Sequence, residues 1–423
     1  MSRRSTRLHV PGLQKRLVPN WLFWMQDEPL WHKRPLKKRY DVVIIGGGVH
    51  GLAEAYYLAS QHGITDVAVL EKGYLGSGGS GRNTAIIRSN YRTLEGVPFY
   101  DASVKLYEGL SQELGFNVMF SQHGHLTLAH SDRAVNGLRE RAERNQLLGV
   151  ESRLIDPDEI KRLVPALDVS KRPRYPILAA LFHPPGGIIR HDAVVWGYAR
   201  GADRAGIHLH PQTEVTAIQT ANGKVTGVET SRGDIKTGIV VNATAGWCST
   251  VAGMVGLKLP VVTHPLQAFV TEPLKPFLNA VVVSATLHVY VSQTDRGELV
   301  AGAEVNPYAS YSHRSTLPFL ESTARHLLEL MPALAEVQVL RQWSGICDMT
   351  PDFSPIMGFT PVGGFLQDVG WGTYGFKAGP VAGKMMAELI ATNRVPALIE
   401  PFALERFQKG ELVGEKAAAA TSH

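Results

Sequence analysis

Three glycines, Gly46, Gly48 and Gly51, stand in the spacing G-x-G-x-x-G between a β-branched run and a helical pattern. Each position has a physical use. The first turns the chain, the second lets backbone approach a pyrophosphate, and the third lets a helix pack on a strand. Twenty residues past Gly51 comes Glu71, whose carboxylate can accept hydrogen bonds from an adenosine ribose. Glycine-rich turns are common, but strand, turn, helix and acid are all in register here. The helix N-terminus offers N–H groups and a positive dipole end to a diphosphate. Glu71 would repel a ribose 2′-phosphate, which disfavours NADP and leaves NAD and FAD open. A second glycine-rich stretch, GYLGSGGSGRNTAIIRSNY over residues 73–91, reads as a long functional loop in which Arg82 and Arg88 argue for an anion nearby.

The elements that must hold these residues read as an α/β fold with an α+β insertion. Residues 40–45 form a short buried parallel strand. The helix after it places Leu52, Ala55, Tyr56 and Ala59 on one face and ends at Gly63. A second strand covers residues 67–70. Helices follow over 98–115 and 135–148, with a sheet starting in 120–129 between them. Asp156 or Asp158 caps a helix ending near Pro165, and Asp192 reads as the N-cap of a helix running to Arg204, before Gly206. Asn222-Gly223 is a strong hairpin turn, and residues 231–234 make a second turn. Residues 239–242 return the chain to the parallel unit. Strand-like segments at 268–271, 280–283, 288–292 and 298–301 precede a helix over 319–330. Residues 364–369 read as a strand, GWGTYGFKAGP as a glycine-rich turn, and 381–391 as a helix.

At 423 residues, more than one core is expected. The division is a Rossmann-like nucleotide-binding domain (39–115, 185–258 and 345–410) and a discontinuous, mostly antiparallel-sheet substrate domain (116–184 and 259–344). A basic aromatic arm (1–38) and a flexible tail (411–423) complete the chain. Hydrophobic content of 44% and charged content of 19% describe a globular protein. No apolar run is long enough to span a bilayer, no secretory signal is read at the start, and two cysteines suit a reducing cytoplasm. The net charge of +5 comes from the arm, where residues 1–40 carry +8 and leave −3 for the rest. The folded part thus lacks the basic bias of a nucleic-acid surface. The WLFWMQDEPLW stretch of the arm is aromatic enough to pack on a partner subunit or on its own domain.

A nicotinamide enzyme needs one glycine-rich βα unit. This chain adds a second glycine-rich loop, a strand ending in NATAG and a glycine turn near its C-terminus. That arrangement resembles the glycine and D-amino-acid oxidase family of flavoproteins over residues 38–410. Within the family, GRNTAIIRSNY, RHDAVVWGYAR, HPLQAFVTEP, LRQWSGICDMTPDFSPIMG and GWGTYGFKAG are most similar to the β subunits of heterotetrameric sarcosine oxidases. The resemblance implies a non-covalent FAD held by Gly46, Gly48, Gly51, Glu71, Lys72, Ser80, Arg82, Asn83, Thr84, Val215, Gly246, Gly370, Gly372, Thr373 and Lys377. It implies an FMN shared with an α subunit, bound covalently through His191 beside Arg190, with γ and δ subunits completing the assembly. From local pattern alone His191 is only the residue ahead of Asp192. No metal is assigned.

The implied reaction is oxidation of sarcosine or a similar N-methyl amino acid, with hydride transfer from the carbon beside nitrogen to flavin N5 and electrons passing to FMN. Such a substrate is held by its carboxylate, and Arg88 and Lys377 are the catalytic candidates by position. Arginine offers a bidentate fork, and lysine a point charge that also favours reduced flavin. Two residues depart from the pattern. Tyr374 stands where a small residue is expected, which reshapes the pocket roof. Cys347 lies near where some single-chain sarcosine oxidases tether FAD, and reads here as a buried, unreactive thiol. The alternatives are a stand-alone amino-acid oxidase or dehydrogenase without FMN, and a non-catalytic flavin-bearing assembly subunit.

Overall fold

The computed structural model describes residues 29–415. Residues 1–28, with most of the aromatic arm, and residues 416–423 of the tail lie outside the described residues. Residues 29–38 of the arm run along the parallel-sheet body. Trp31 packs against its core, Arg34 pairs with Asp203 at 3.1 Å, and Lys37 with Asp66 at 2.8 Å.

The glycine motif sits at the centre of a six-stranded sheet. Its order is Ile356–Phe359, Phe365–Val369, Ile239–Asn242, Val42–Ile45, Val67–Leu70 and His208–His210. All neighbours are parallel except the first pair, which forms a hairpin. Val42, Val43, Ile44 and Ile45 are all buried, as a strand covered on both faces requires. The Val49–His62 helix ends at Gly63 in the left-handed conformation, as the sequence predicts.

An eight-stranded sheet lies beside it, in the order Val339–Met349, Val262–Pro273, Glu298–Val305, Val289–Gln293, Val281–Ser284, His125–Ala129, Ala179–His183 and Arg153–Ile155. Only the Val281–Ser284 and His125–Ala129 pair is parallel. The Val339–Met349 strand runs unbroken across residues 344 and 345. The Asn222-Gly223 turn joins Val215–Ala221 to Lys224–Thr230 with both turn residues at positive φ, the geometry of a two-residue hairpin.

Two local readings need correction. Asp192 is not an N-cap. The His191–Arg204 helix starts two residues earlier than that cap would allow, with Arg190 flanking it. Asp192 instead lies in the first turn, accepts from the Ala193 N–H and pairs with Arg190 at 2.5 Å, where negative charge suits the helix dipole. The last glycine turn is also shorter than expected, because the helix after it runs from Gly375 to Thr392 with Pro380 inside it. Proline cannot donate to the carbonyl four residues back. Here the Tyr107 hydroxyl donates to that oxygen, Phe376 O, at 2.6 Å, and Ser103 donates to Lys377 O at 2.7 Å. The Gly96–Leu114 helix therefore makes the proline tolerable.

Candidate active site

Residues from both sheets enclose a cavity of about 720 Å³. Glu71, Lys72, Val215, Trp247, Gly46 and Gly48 line it, as do Arg88, His125, Cys347, Thr373, Tyr374 and Lys377. Ser80, Arg82, Asn83, Thr84 and Gly372 also line it. Gly51, Gly246 and Gly370 stand behind the wall. Gly51 has room only for a hydrogen where helix meets strand, and Gly370 donates its N–H to Asp348 at 2.6 Å. Arg190 and His191 are not part of the cavity; His191 is half-buried as the first residue of its helix.

Local hydrogen bonds fix the surroundings of Glu71. Glu71 accepts from the N–H groups of Gly47 at 2.9 Å and Gly73 at 2.7 Å, and from the Ser77 hydroxyl at 3.2 Å. A carboxylate has about four acceptor sites, so capacity for another donor remains. Ser80 Oγ accepts from the Val49 N–H at 2.9 Å, tying the long loop to the helix N-terminus. Lys72 Nζ lies 3.4 Å from the centre of the Trp247 ring, which in turn packs on Tyr311 at 4.8 Å.

Two basic side chains, Arg88 and Lys377, face the cavity. Arg88 is 5% exposed, donates to Asn90 O at 3.1 Å and Asn90 Oδ1 at 3.0 Å, and lies 4.3 Å above the Tyr91 ring. Lys377, in the first turn of the Gly375–Thr392 helix, donates to Thr373 O at 3.3 Å. Burial, and then the nearby Arg88 charge, bring its ammonium down to about 7. Neither cation meets a carboxylate at ion-pair distance among the described residues. His125 is buried beside them, and burial holds its imidazole well below the usual range. Tyr374 is 3% exposed and packs edge-on against Tyr91, with Lys377 and Arg88 at 5.6 and 6.0 Å from its ring. The Cys347 thiol is pushed up to about 12 by burial. It stays protonated near neutrality, so it is a poor nucleophile.

A polar group under the last glycine turn escaped the sequence reading. His50 Nδ1 lies 2.9 Å from Asp368 and Nε2 donates to Gly375 O at 2.8 Å. Burial alone would favour the neutral ring, but Asp368 outweighs it and raises the imidazole above its ordinary value. Asp368 also accepts from Trp371 Nε1 at 2.8 Å. These contacts bind the motif helix to the turn that precedes Lys377. His50 lies inside the glycine motif, but its partners are more than 300 residues away, and no local signal marks the pairing.

Residues 41–389 match the family model described as FAD dependent oxidoreductase. The chain is 48% identical to "Sarcosine oxidase subunit beta" of Rhodobacter capsulatus over 94% of its length and 95% of that protein. It is 47% identical to the protein of the same name from Rhizobium meliloti, over 93% and 94%. Among solved structures, L-proline dehydrogenase from P. horikoshii superposes with a TM-score of 0.84 at 33% identity, covering 89% of this chain and all of that one. Among the described residues no helix is long and apolar enough to cross a membrane.

Proposed function

The chain belongs to the FAD dependent oxidoreductase family, among its sarcosine oxidase β-subunit members and acting on CH–NH donors, and on that footing we propose that it oxidises sarcosine or a closely similar N-methyl amino acid. The observation that carries the substrate class is the pair Arg88 and Lys377, a buried guanidinium and a half-buried amine facing one cavity with no carboxylate at ion-pair distance among the described residues. Buried charges call for a partner, and a substrate carboxylate is the group they fit.

The cavity wall fits FAD. Gly46 and Gly48 border it without side chains, Glu71 keeps acceptor capacity, and residues 372–377 line it as well. FAD bound there would supply an acceptor for two electrons and one hydrogen, the equivalents a substrate gives up when its carbon–nitrogen bond is oxidised to an imine. Arg88 holds the carboxylate by its fork and Lys377 by its charge. The same cations disfavour an ammonium beside them, so they shift the substrate amine toward the neutral form that has a lone pair. Tyr374 covers the clamp and limits the room left for the N-substituent. Anaerobic addition of sarcosine to the purified assembly is expected to bleach the flavin absorbance. Absence of bleaching with every N-methyl amino acid tried would reject the reading.

The finer part of the proposal is a second flavin and a hetero-oligomer. FMN attached at His191, between this chain and an α subunit, would receive the electrons, with γ and δ subunits completing a cytoplasmic assembly. The RHDAVVW match supports this, as does the state of His191, whose imidazole is pushed below its ordinary value by burial and so is neutral at pH 7, its nucleophilic form. Acid precipitation is expected to release FAD and to leave FMN on a peptide containing His191, and His191→Asn should abolish the bound FMN. An unmodified His191 peptide in the mass spectrum of the native assembly would overturn the two-flavin reading.

A further inference from the structure

Residues 88–93, which carry Arg88, belong to no helix or strand. Their backbone polar groups must therefore find partners elsewhere. One face of the Asp132–Leu147 helix supplies three. Arg141 donates Nε to Asn90 O at 2.7 Å and a second guanidinium N–H to the same oxygen. Asn145 donates to Tyr91 O at 2.8 Å, and Arg144 to Arg92 O. From the other side, Glu415 accepts from the N–H groups of Arg92 and Thr93, each at 2.9 Å.

Asn90 is the shared element. Its carbonyl accepts from both Arg88 and Arg141, and its side-chain oxygen accepts from Arg88. Arg141 is 6% exposed, and among the described residues both of its hydrogen bonds go to that one carbonyl. Burial, and then repulsion from Arg88, bring its guanidinium down to about 9. A cavity of about 20 Å³ between Arg88, Arg141 and Glu415 has room for about one water. An arginine this buried, which makes no ion pair among the described residues and meets Glu415 only across that small cavity, is costly if its role is packing alone. We propose that Arg141 is a positioning residue for the substrate clamp: through Asn90 it sets the direction of the Arg88 fork, and its charge makes the pocket more attractive to a carboxylate. This rests on the reading that Arg88 binds the substrate carboxylate.

The test uses the flavin-loaded assembly and acetate, a carboxylate with no amine, bound at equilibrium and followed by the change in flavin absorbance. R141M is expected to weaken acetate and to raise KM for sarcosine about tenfold, the loss that goes with one charged hydrogen bond, while kcat stays within about twofold. R141K keeps a charge but loses the two-pronged contact with Asn90, so it should fall between R141M and the wild type. It also carries the test if R141M does not fold. A purely structural role would lower thermal stability and leave acetate affinity alone, and that result overturns the inference. Wild-type affinity in R141K would overturn the positioning role. If the wild type binds acetate yet oxidises no N-methyl amino acid, the substrate reading fails while the comparison among the Arg141 variants still decides this proposal.

Discussion

Arg88→Ala is expected to raise KM for sarcosine by about tenfold to a hundredfold, since a charged hydrogen bond in a dry pocket contributes roughly 1.5–3 kcal/mol. Carboxylate inhibitors should weaken in parallel while FAD stays bound, because Arg88 hydrogen-bonds Asn90 and stacks on Tyr91, whereas Glu71 is held by Gly47, Gly73 and Ser77. Lys377→Met should give a similar loss of affinity and also slow flavin reduction, because a cation beside the turn favours a ring that gains negative charge. Their pH dependences should differ as well. Lys377 titrates near about 7 in the folded protein, charged below that value and neutral above it. Acetate affinity of the wild type should therefore fall as pH rises through 7. Bound acetate draws the lysine back toward its charged form and moves the midpoint upward. Lys377→Met should flatten this profile, whereas Arg88→Ala should keep a slope. Rapid-mixing measurements of FAD reduction against sarcosine concentration, with acetate titrations across pH, check all of this. If both variants reduce FAD with unchanged rate and affinity, the carboxylate is held elsewhere.

What could be read in the chain beforehand depended on whether the cause was local. The glycine motif, the Gly63 helix end and the Asn222-Gly223 turn follow from backbone conformations that few residues permit, and each was legible. Arg88 was legible as a cation in a long loop, but its burial was not, because that depends on the distant Asp132–Leu147 helix and on Glu415. The helix that starts at Gly375 reads from sequence as starting six residues later, at 381, directly after Pro380, a residue that breaks helices. The groups that satisfy the freed carbonyls, Tyr107 and Ser103, lie about 270 residues away in sequence. Asp192 was misread for a different reason. Asp is favoured both as a cap and in a helix's first turn, and only the backbone at Arg190 separates the two. His50 and Asp368 are an ordinary histidine and aspartate until the fold brings them within 2.9 Å.

The glycine turn itself should be the least forgiving part of the molecule, and for reasons that differ between its three glycines. A Cβ on Gly51 would lie 2.2 Å from Gly46 O and 2.9 Å from Ile44 Cγ2, so the helix would have to lift off the strand. A Cβ on Gly46 would lie 2.3 Å from Ala243 O, and Gly46 also holds φ at +118°, where a side chain is strained. Both collisions are with main chain, which cannot swing aside as a side-chain tip can. Each alanine should therefore destabilise on the order of 3 kcal/mol, a large share of the roughly 5–15 kcal/mol that holds a domain together. We expect Gly46→Ala and Gly51→Ala to purify poorly and with little flavin. Gly48→Ala is a different case. Its Cβ would meet only Ser80 Oγ, at 2.9 Å, and Gly48 is not at positive φ. Ser80 can rotate away at the loss of its bond to the Val49 N–H, so the fold should survive while the methyl stands where the backbone must approach a pyrophosphate. Gly109, in the Gly96–Leu114 helix with open space at its Cβ position, is the control; Gly109→Ala should stabilise by about 0.5–1 kcal/mol. Flavin content per chain and thermal unfolding of the four variants separate these outcomes. Normal flavin content and unfolding temperature in Gly46→Ala or Gly51→Ala would show that the main chain at the turn yields more easily than its contacts imply, and normal flavin affinity in Gly48→Ala would place the pyrophosphate away from this turn.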